Sequence, residues 1–330
     1  MTREAVLSLL KEAGDSYCSG QSMSRTLGIS RAAVWKAIDA LRQEGYEISS
    51  VPRRGYRLER SPDRLSAGEL TGALRGLTLG QNIICLDSVD STNNYAKKLA
   101  DRGAPHGTVV LTDCQTAGRG RRGNSFVSPE GKGLYLSVLL RPNLPPVDVI
   151  NLTAWIAVAV CDAVEQVIGR RPGIKWTNDL ILQSKKLCGI LTEMSLEAET
   201  GELQYVVAGI GINVSQSEDD FGTEVSSLAI SLEQALGRKI RRADLAVAVL
   251  GALECMMNDF PHQKAAWLER YRADCLTLGR EVRLIRRGEA QIAFAQTIDE
   301  DFALVVRHEN GTVETVTAGD VSVRGLLGYV

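Results

Sequence analysis

The hydrophobic period of this chain changes twice, and those changes limit its architecture more than any other feature. In the first 60 residues apolar side chains recur at helical spacing. Ala5, Val6, Leu9 and Leu10 predict a helix over 3–13. A second helix is expected over 22–27, ended by Gly28, and a third over 31–42, capped by Ser30 and closed by Gly45. Two strands follow, 47–51 and 55–58, joined by Pro52-Arg53-Arg54. Helix, helix–turn–helix and a two-stranded ribbon make a winged helix. Residues 60–66, with Ser61-Pro62, read as a linker. From Leu65 to about Tyr271 strands (83–86, 108–112, 134–140, 174–175, 180–182, 187–194, 204–212) alternate irregularly with helices (93–102, 149–168, 228–236, 242–260, 262–273). That is one α/β domain without a simple βαβ repeat. From Leu276 short alternating strands take over (281–285, 291–298, 303–307, 312–316, 321–324), punctuated by Gly288, Asp299-Glu300-Asp301 and the hairpin signal Asn310-Gly311. They predict a small SH3-like barrel.

Composition narrows the classes. A chain of 330 residues with 44% hydrophobic and 24% charged content holds two or three globular domains. Its net charge of −2 argues against wholesale coating of nucleic acid. Residues 1–60 carry ten Lys and Arg against seven Asp and Glu, net +3, and the remainder 28 against 33, net −5. A mildly basic head on an acidic body suits a head that meets phosphate. The third helix would offer Arg31 and Lys36 to a major groove, and the ribbon tip would offer Arg53 and Arg54 to phosphates or the minor groove. A protein-binding winged helix is the other reading. Seven scattered cysteines without a Cys-x-x-Cys pair indicate free thiols in a reducing cytoplasm, and three distant histidines give no metal site. The longest mostly apolar stretch, near Thr153 to Val160, is shorter than the ~20 residues a membrane span needs, so no membrane is expected.

The chemistry centres on Gly118-Arg119-Gly120-Arg121-Arg122-Gly123, just after a predicted strand. Glycine allows close approach of backbone to ligand, and guanidinium forks fit phosphate and carboxylate oxygens. The bare hexamer fits an anion-closing loop or a basic surface turn, and its context decides. A phosphate loop of the Gly-x4-Gly-Lys-Ser/Thr kind is absent at Gly131-Lys132-Gly133. Gly209-Ile210-Gly211 lacks the third glycine of a dinucleotide motif and opens no helix. If ATP binds, the Arg loop is the best holder of its phosphates.

The context is a series of islands in fixed order. These are Asp90-Ser91-Thr92-Asn93-Asn94, Asp113-Cys114-Gln115-Thr116-Ala117, the Arg loop, Lys175-Trp176-Thr177-Asn178-Asp179-Leu180, Lys185 to Glu193, and Gly209-Ile210-Gly211-Ile212-Asn213-Val214. Together they closely resemble the biotin–protein ligases. Ser30-Arg31-Ala32-Ala33 and Gly55-Tyr56 in the head bring the resemblance to the bifunctional ligases that also repress the biotin operon. The resemblance spans essentially the whole chain. It implies a multidomain α+β protein with a winged-helix DNA-binding domain over 1–62, a class II synthetase-like catalytic domain over 63–273, and the SH3-like domain over 274–330. It further implies MgATP and biotin as substrates, biotinyl-5′-AMP as intermediate and corepressor, and a biotin carboxyl carrier protein domain and operator DNA as partners. A homodimer promoted by the adenylate is expected too.

The resemblance also implies residue roles. Arg121, Lys186 and Asp179 are the catalytic candidates. Ser91, Thr92, Asn93, Gln115, Arg119, Gly120 and Gly189, with Arg121 and Lys186, are the biotin set. Arg119, Arg121, Phe126, Lys175, Asn178 and Asn213 are the nucleotide set, and Ser30, Arg31, Lys36, Arg53 and Arg54 the DNA set. Asp179 could ligate Mg²⁺ or orient the acceptor lysine; an Asx-type turn through Asn178 and Asp179 is the alternative. Ser91-Thr92-Asn93 also fits a helix N-cap, and Trp176 either walls the biotin ring or is core. Arg122 and Lys185 are expected to face solvent, and Cys188 to be inert core. Thr177 replaces the family's usual proline, which loosens the turn without removing a functional group, and Phe126 replaces a usual tryptophan over the adenine.

Overall fold

A computed structural model of the protein describes residues 2–223, 225–286, 289–317 and 322–325, the last four by backbone course. Gly288 and Val321 lie outside the described residues.

The head contains α1 (Thr2–Ala13), α2 (Gly20–Leu27) and α3 (Arg31–Gln43), then the antiparallel ribbon β1 (Glu47–Val51) and β2 (Gly55–Arg60). Its core is the helical stripe Val6, Leu7, Leu10, Met23, Val34, Ile38 and Leu41. Ser19 and Ser30 cap α2 and α3 by accepting from the backbone N–H groups of Ser22 (3.0 Å) and Ala33 (3.1 Å). Gly55 is required where it stands: φ is +110° and a β-carbon would lie 2.2 Å from the Cys18 carbonyl oxygen.

After the linker and a helical turn, α4 (Ala67–Leu70), the body is a seven-stranded sheet. Its chain order is β3 (Asn82–Val89), α5 (Thr92–Asp101), β4 (Thr108–Gln115), β5 (Gly133–Leu140), α6 (Pro146–Val149), α7 (Leu152–Ile168), β6 (Gly173–Lys175), β7 (Asp179–Leu182), β8 (Lys185–Leu196) and β9 (Leu203–Asn213). Then come α8 (Glu218–Phe221), α9 (Leu232–Leu236), α10 (Arg242–Asp259) and α11 (Lys264–Asp274). The spatial order is β3-β4-β5-β9-β8-β7-β6, and only the β3/β4 pair, joined through α5, is parallel. Both faces are covered. In β9, Val206, Ala208, Ile210 and Ile212 face the core of α7 and α10, whereas Tyr205 and Val207 face α5. This parity leaves Gly209 and Gly211 on the α5 face, where the sheet floor is bare.

The helical stretch Pro146–Ile168 is long and apolar enough to cross a membrane, longer than the sequence suggested, but 67% of its apolar window is buried inside the fold. It is the central core helix, with Trp155 stacked on Trp267 at 5.1 Å. The helix expected over 228–236 starts only at Leu232. Ser231 caps it, and residues 228–230 pair instead with β8: the Lys186 N–H donates to Leu228 O (2.8 Å), and the Ile230 N–H to Lys186 O (2.9 Å).

The C-terminal strands β10 (Glu281–Arg286), β11 (Glu289–Ile298), β12 (Leu304–His308), β13 (Val313–Val316) and β14 (Ser322–Gly325) form an antiparallel sheet of order β13-β12-β11-β10-β14. Its inward residues, among them Val282, Leu284, Ala295 and Val306, join the core of the body. The head is tied down by ions. The Glu69 carboxylate, with a fully buried side chain, meets Lys11 of α1 at 2.5 Å and Arg241 at 2.8 Å. Buried Arg242 at the start of α10 pairs with Asp63 of the linker (2.9 Å) and Asp113 of β4 (2.5 Å).

Candidate functional site

The bare glycine floor opens a cleft of about 550 Å³ on the α5 face of the sheet. Ser91, Thr92, Asn93, Gln115, Arg119, Gly120, Arg121, Phe126, Lys175, Asn178, Asp179, Lys186 and Gly189 line it together, from six separate stretches of sequence. The start of α5 and the end of β4 form its neutral polar end. There the Thr92 N–H and hydroxyl meet Gln115 Oε1 (2.9 and 3.2 Å), and Gln115 Nε2 donates to Ser128 Oγ (2.9 Å). Ser91 occupies the N-cap position of α5 but makes no side-chain cap bond. Asn93 is buried, with Oδ1 2.6 Å from Ser137 Oγ and Nδ2 donating to Leu191 O (3.2 Å) and Glu193 Oε2 (2.9 Å).

Cations dominate the rest. Arg119, Arg121, Arg122, Lys175, Lys186 and Arg283 line the cleft against one carboxylate, Asp179. Arg119, Arg121 and Lys186 are each held by protein side chains. Arg121 donates to Thr177 Oγ1 (3.0 Å) and Asn178 Oδ1 (2.8 Å), so the residue expected merely to loosen the turn supplies an acceptor. Burial lowers the Arg121 pKa from its ordinary value, with Asp179 opposing. Lys186 Nζ lies 2.7 Å from Asp179 Oδ1. Arg119 reaches Asn94 Oδ1 (3.0 Å) and Glu193 Oε1 (3.2 Å). Glu193 also takes Lys97 at 2.9 Å; burial alone would raise its pKa, but the hydrogen bonds from Lys97 and Asn93 outweigh that and lower it. Arg122, at φ +57°, is exposed, while Lys185 is half-buried.

Phe126 covers the glycine floor: β-carbons at Gly211 and Gly189 would lie 2.6 and 3.5 Å from its ring. Trp176 lines the cleft yet is buried, its indole N–H donating to Phe302 O (3.0 Å). Cys188 is fully buried and burial raises its pKa. Asn213 stands apart. It is buried at the end of β9 with its amide donating to Lys186 O (3.3 Å) and Ile230 O (3.2 Å), and it does not line the cleft. Arg283 on β10 and Leu228 line the cleft but carried no signal in the sequence, and Gly209 and Gly211, which also line it, entered the sequence reading only through the last island and the failed dinucleotide string, with no role assigned to them. Among the described residues no cluster of three His, Cys, Asp or Glu could hold a metal.

In the head, Arg31 and Lys36 lie on the exposed face of α3, and Arg53 (φ +66°) and Arg54 at the ribbon tip. The Arg54 guanidinium sits 4.5 Å over the Tyr17 ring. The Ser30 hydroxyl is used as the α3 cap.

A neutral polar end joined to a cation-rich floor is the site of a protein that holds a small molecule beside an anion, and comparison with known proteins gives its class. Residues 85–213 match the family model described as the biotin/lipoate A/B protein ligase family; residues 2–57 match an HTH domain, and residues 277–324 the biotin protein ligase C-terminal domain. The bifunctional ligase/repressor BirA of Bacillus subtilis is 39% identical over 324 residues, covering 97% of this chain and 98% of that protein. Its Escherichia coli counterpart is 32% identical over 315 residues, 94% of each. Among solved structures, the biotin protein ligase of Aquifex aeolicus in complex with biotin and ATP superposes with a TM-score of 0.64 at 29% identity, covering 74% of this chain and 99% of that one. The chain therefore belongs to the family of biotin–protein ligases, in its bifunctional ligase/repressor branch.

Proposed function

We propose that this protein joins biotin and ATP into biotinyl-5′-AMP, passes the biotinyl group to a lysine of a biotin carboxyl carrier protein domain, and represses biotin-synthesis genes at operator DNA. The observation that carries this reading is the charge of the cleft, six cations against one carboxylate, beside a neutral polar pocket. In the first step a carboxylate oxygen of biotin attacks the α-phosphorus, the new O–P bond forms, and pyrophosphate leaves. Two anions must meet, and preorganised cations offset their repulsion in a low-dielectric cleft. In the second step a lysine amine attacks the acyl carbon and AMP leaves.

Ser91, Thr92, Asn93 and Gln115 suit the ureido ring, whose carbonyl and two N–H groups need matched partners. Arg119, Arg121, Gly120 and Gly189 would surround the biotin carboxylate and α-phosphate. Lys186, already aimed at Asp179, would exchange that partner for the acyl phosphate. Phe126, Lys175 and Asn178 would hold the nucleotide, with Asn213 bracing the backbone of Lys186. Asp179 would receive the acceptor amine. One carboxylate paired to a lysine is not a metal cage, so Mg²⁺ would be held chiefly by the triphosphate, where it supplies charge neutralisation. We assign residues 1–62 to the winged-helix domain, 63–273 to a class II synthetase-like body and 274–330 to an SH3-like barrel. The adenylate would act as corepressor by promoting a homodimer that presents two heads to DNA, in the cytoplasm.

The test is exchange of labelled pyrophosphate into ATP. Exchange that requires biotin is expected. No exchange at any biotin level would leave a sensor without catalysis, and exchange driven equally by lipoate would overturn the substrate assignment.

A further inference from the structure

The chain has four tryptophans, and three of them, Trp155, Trp176 and Trp267, are buried. The fourth, Trp35, is 55% exposed in the middle of α3. It is not a core residue out of place. The core stripe of α3 is Val34, Ala37, Ile38 and Leu41, and Trp35 points to the other side of the helix. Its neighbours there are set by helical spacing: Arg31 one turn before it, Ala32 three residues before it, and Lys36 adjacent, all exposed. The outer face of α3 therefore carries an apolar pair, Ala32 and Trp35, between two cations in its first turns, and one turn further on lies Asp39, whose carboxylate accepts from Gln43 (3.0 Å). Arg53 and Arg54 at the ribbon tip add positive charge to the same head.

Among the contacts an exposed aromatic could make, the charge around Trp35 favours one kind of partner. A partner with a negatively charged frame and apolar groups between the charges matches cation, indole, cation in that order. Duplex DNA has that pattern: phosphates flank a major groove, and thymine alone offers a methyl group there. We infer that Trp35 is a sequence-reading residue, its indole packed with Ala32 against thymine methyl groups in the major groove while Arg31 and Lys36 hold the register. This rests on the DNA-binding reading of the head and adds to it which side chain discriminates. Truncation should remove discrimination and leave the phosphate contacts, because those are made by other residues.

The test uses the full-length chain with biotin and ATP, and a duplex selected by it from a pool of random-sequence 40-mers. The burial of the other three indoles makes acrylamide quenching a report on Trp35. Expected results are that quenching falls when the selected duplex is added, and that Trp35→Ala loses about 10- to 100-fold of affinity for it while a scrambled duplex is bound within a few-fold of the parent. Replacing deoxythymidine by deoxyuridine in the selected duplex should weaken the parent similarly and Trp35→Ala little further. Trp35→Phe should fall between. If Trp35→Ala discriminates as well as the parent, or deoxyuridine has no effect, the inference is wrong and DNA binding stands. If the parent enriches no duplex, the DNA reading falls and the inference with it. Protection of Trp35 by protein concentration alone would assign this face to a second copy and overturn the proposal.

Discussion

Replacing Gly209 by alanine should damage the biotin pocket and the stability of the body together. A β-carbon there would lie 2.1 Å from Asn93 Oδ1 and 2.8 Å from its Cγ, well inside contact distance. The backbone has little room to retreat, because β9 is laddered to Ser137 on one side and Leu191 on the other. Asn93 must move instead, and its amide is fixed by Ser137, Leu191 and Glu193. Three hydrogen bonds at about 0.5–1.5 kcal/mol each put the loss at roughly 2–4 kcal/mol, less about 0.4–1 for the restricted unfolded chain. The net cost of about 1–3 kcal/mol corresponds to a drop in melting temperature of about 3–10 °C for a body of this size. Asn93 adjoins Thr92, whose N–H and hydroxyl fix Gln115, so biotin affinity should fall about 10-fold or more. Urea unfolding and titration calorimetry with biotin measure both. Gly251→Ala, where nothing lies within 4 Å, is the control and should be neutral or slightly stabilising. Gly209→Ala in an Asn93→Ala background should cost much less than in the parent. Parent-like biotin affinity and urea midpoint in Gly209→Ala would refute the packing of Asn93 on bare backbone.

Arg121→Ala should let the adenylate escape about 10- to 100-fold faster, because it removes a guanidinium anchored at Thr177 and Asn178 over the cleft. Promiscuous lysine labelling of a bystander protein reads this directly, and labelling no broader than the parent's would show that Arg121 does not retain the adenylate. Glu193 gives a pH dependence. Its folded pKa is lowered, so its contribution is fully present above the ordinary carboxylate value of about 4.3 and fades as pH falls through the lower folded value. Urea midpoints between about pH 5 and pH 3 should fall more steeply for the parent than for Glu193→Gln, and parallel profiles would contradict the assignment.

Features set by nearby residues were legible in the sequence. The head helices could be read because Ser30 and the Val34-Ile38-Leu41 stripe are local signals. The cleft residues could be read as strings because their chemistry is compressed into short motifs. What escaped depends on strand parity or on distant partners. Gly209-Ile210-Gly211 looked like a failed dinucleotide motif; its meaning appears only when alternate residues of β9 face α5 and two of them are found bare. Asn213 reads as a polar strand end open to a ligand, but residues 228–230 return to cover it and take its amide. The same return pairs with Lys186 through the backbone, so the apolar run that looked helical is a brace for a cleft residue. Longer separations leave no trace at all. Arg242 meets Asp113 across 129 positions and Asp63 across 179. Buried, its charge would be costly without both carboxylates. Asp113 lies two residues before Gln115 of the polar pocket, and Asp63 lies in the linker to the head, so one buried guanidinium joins the end of β4 to the segment that carries α3. That junction is made by side chains whose order in the sequence says nothing of their meeting.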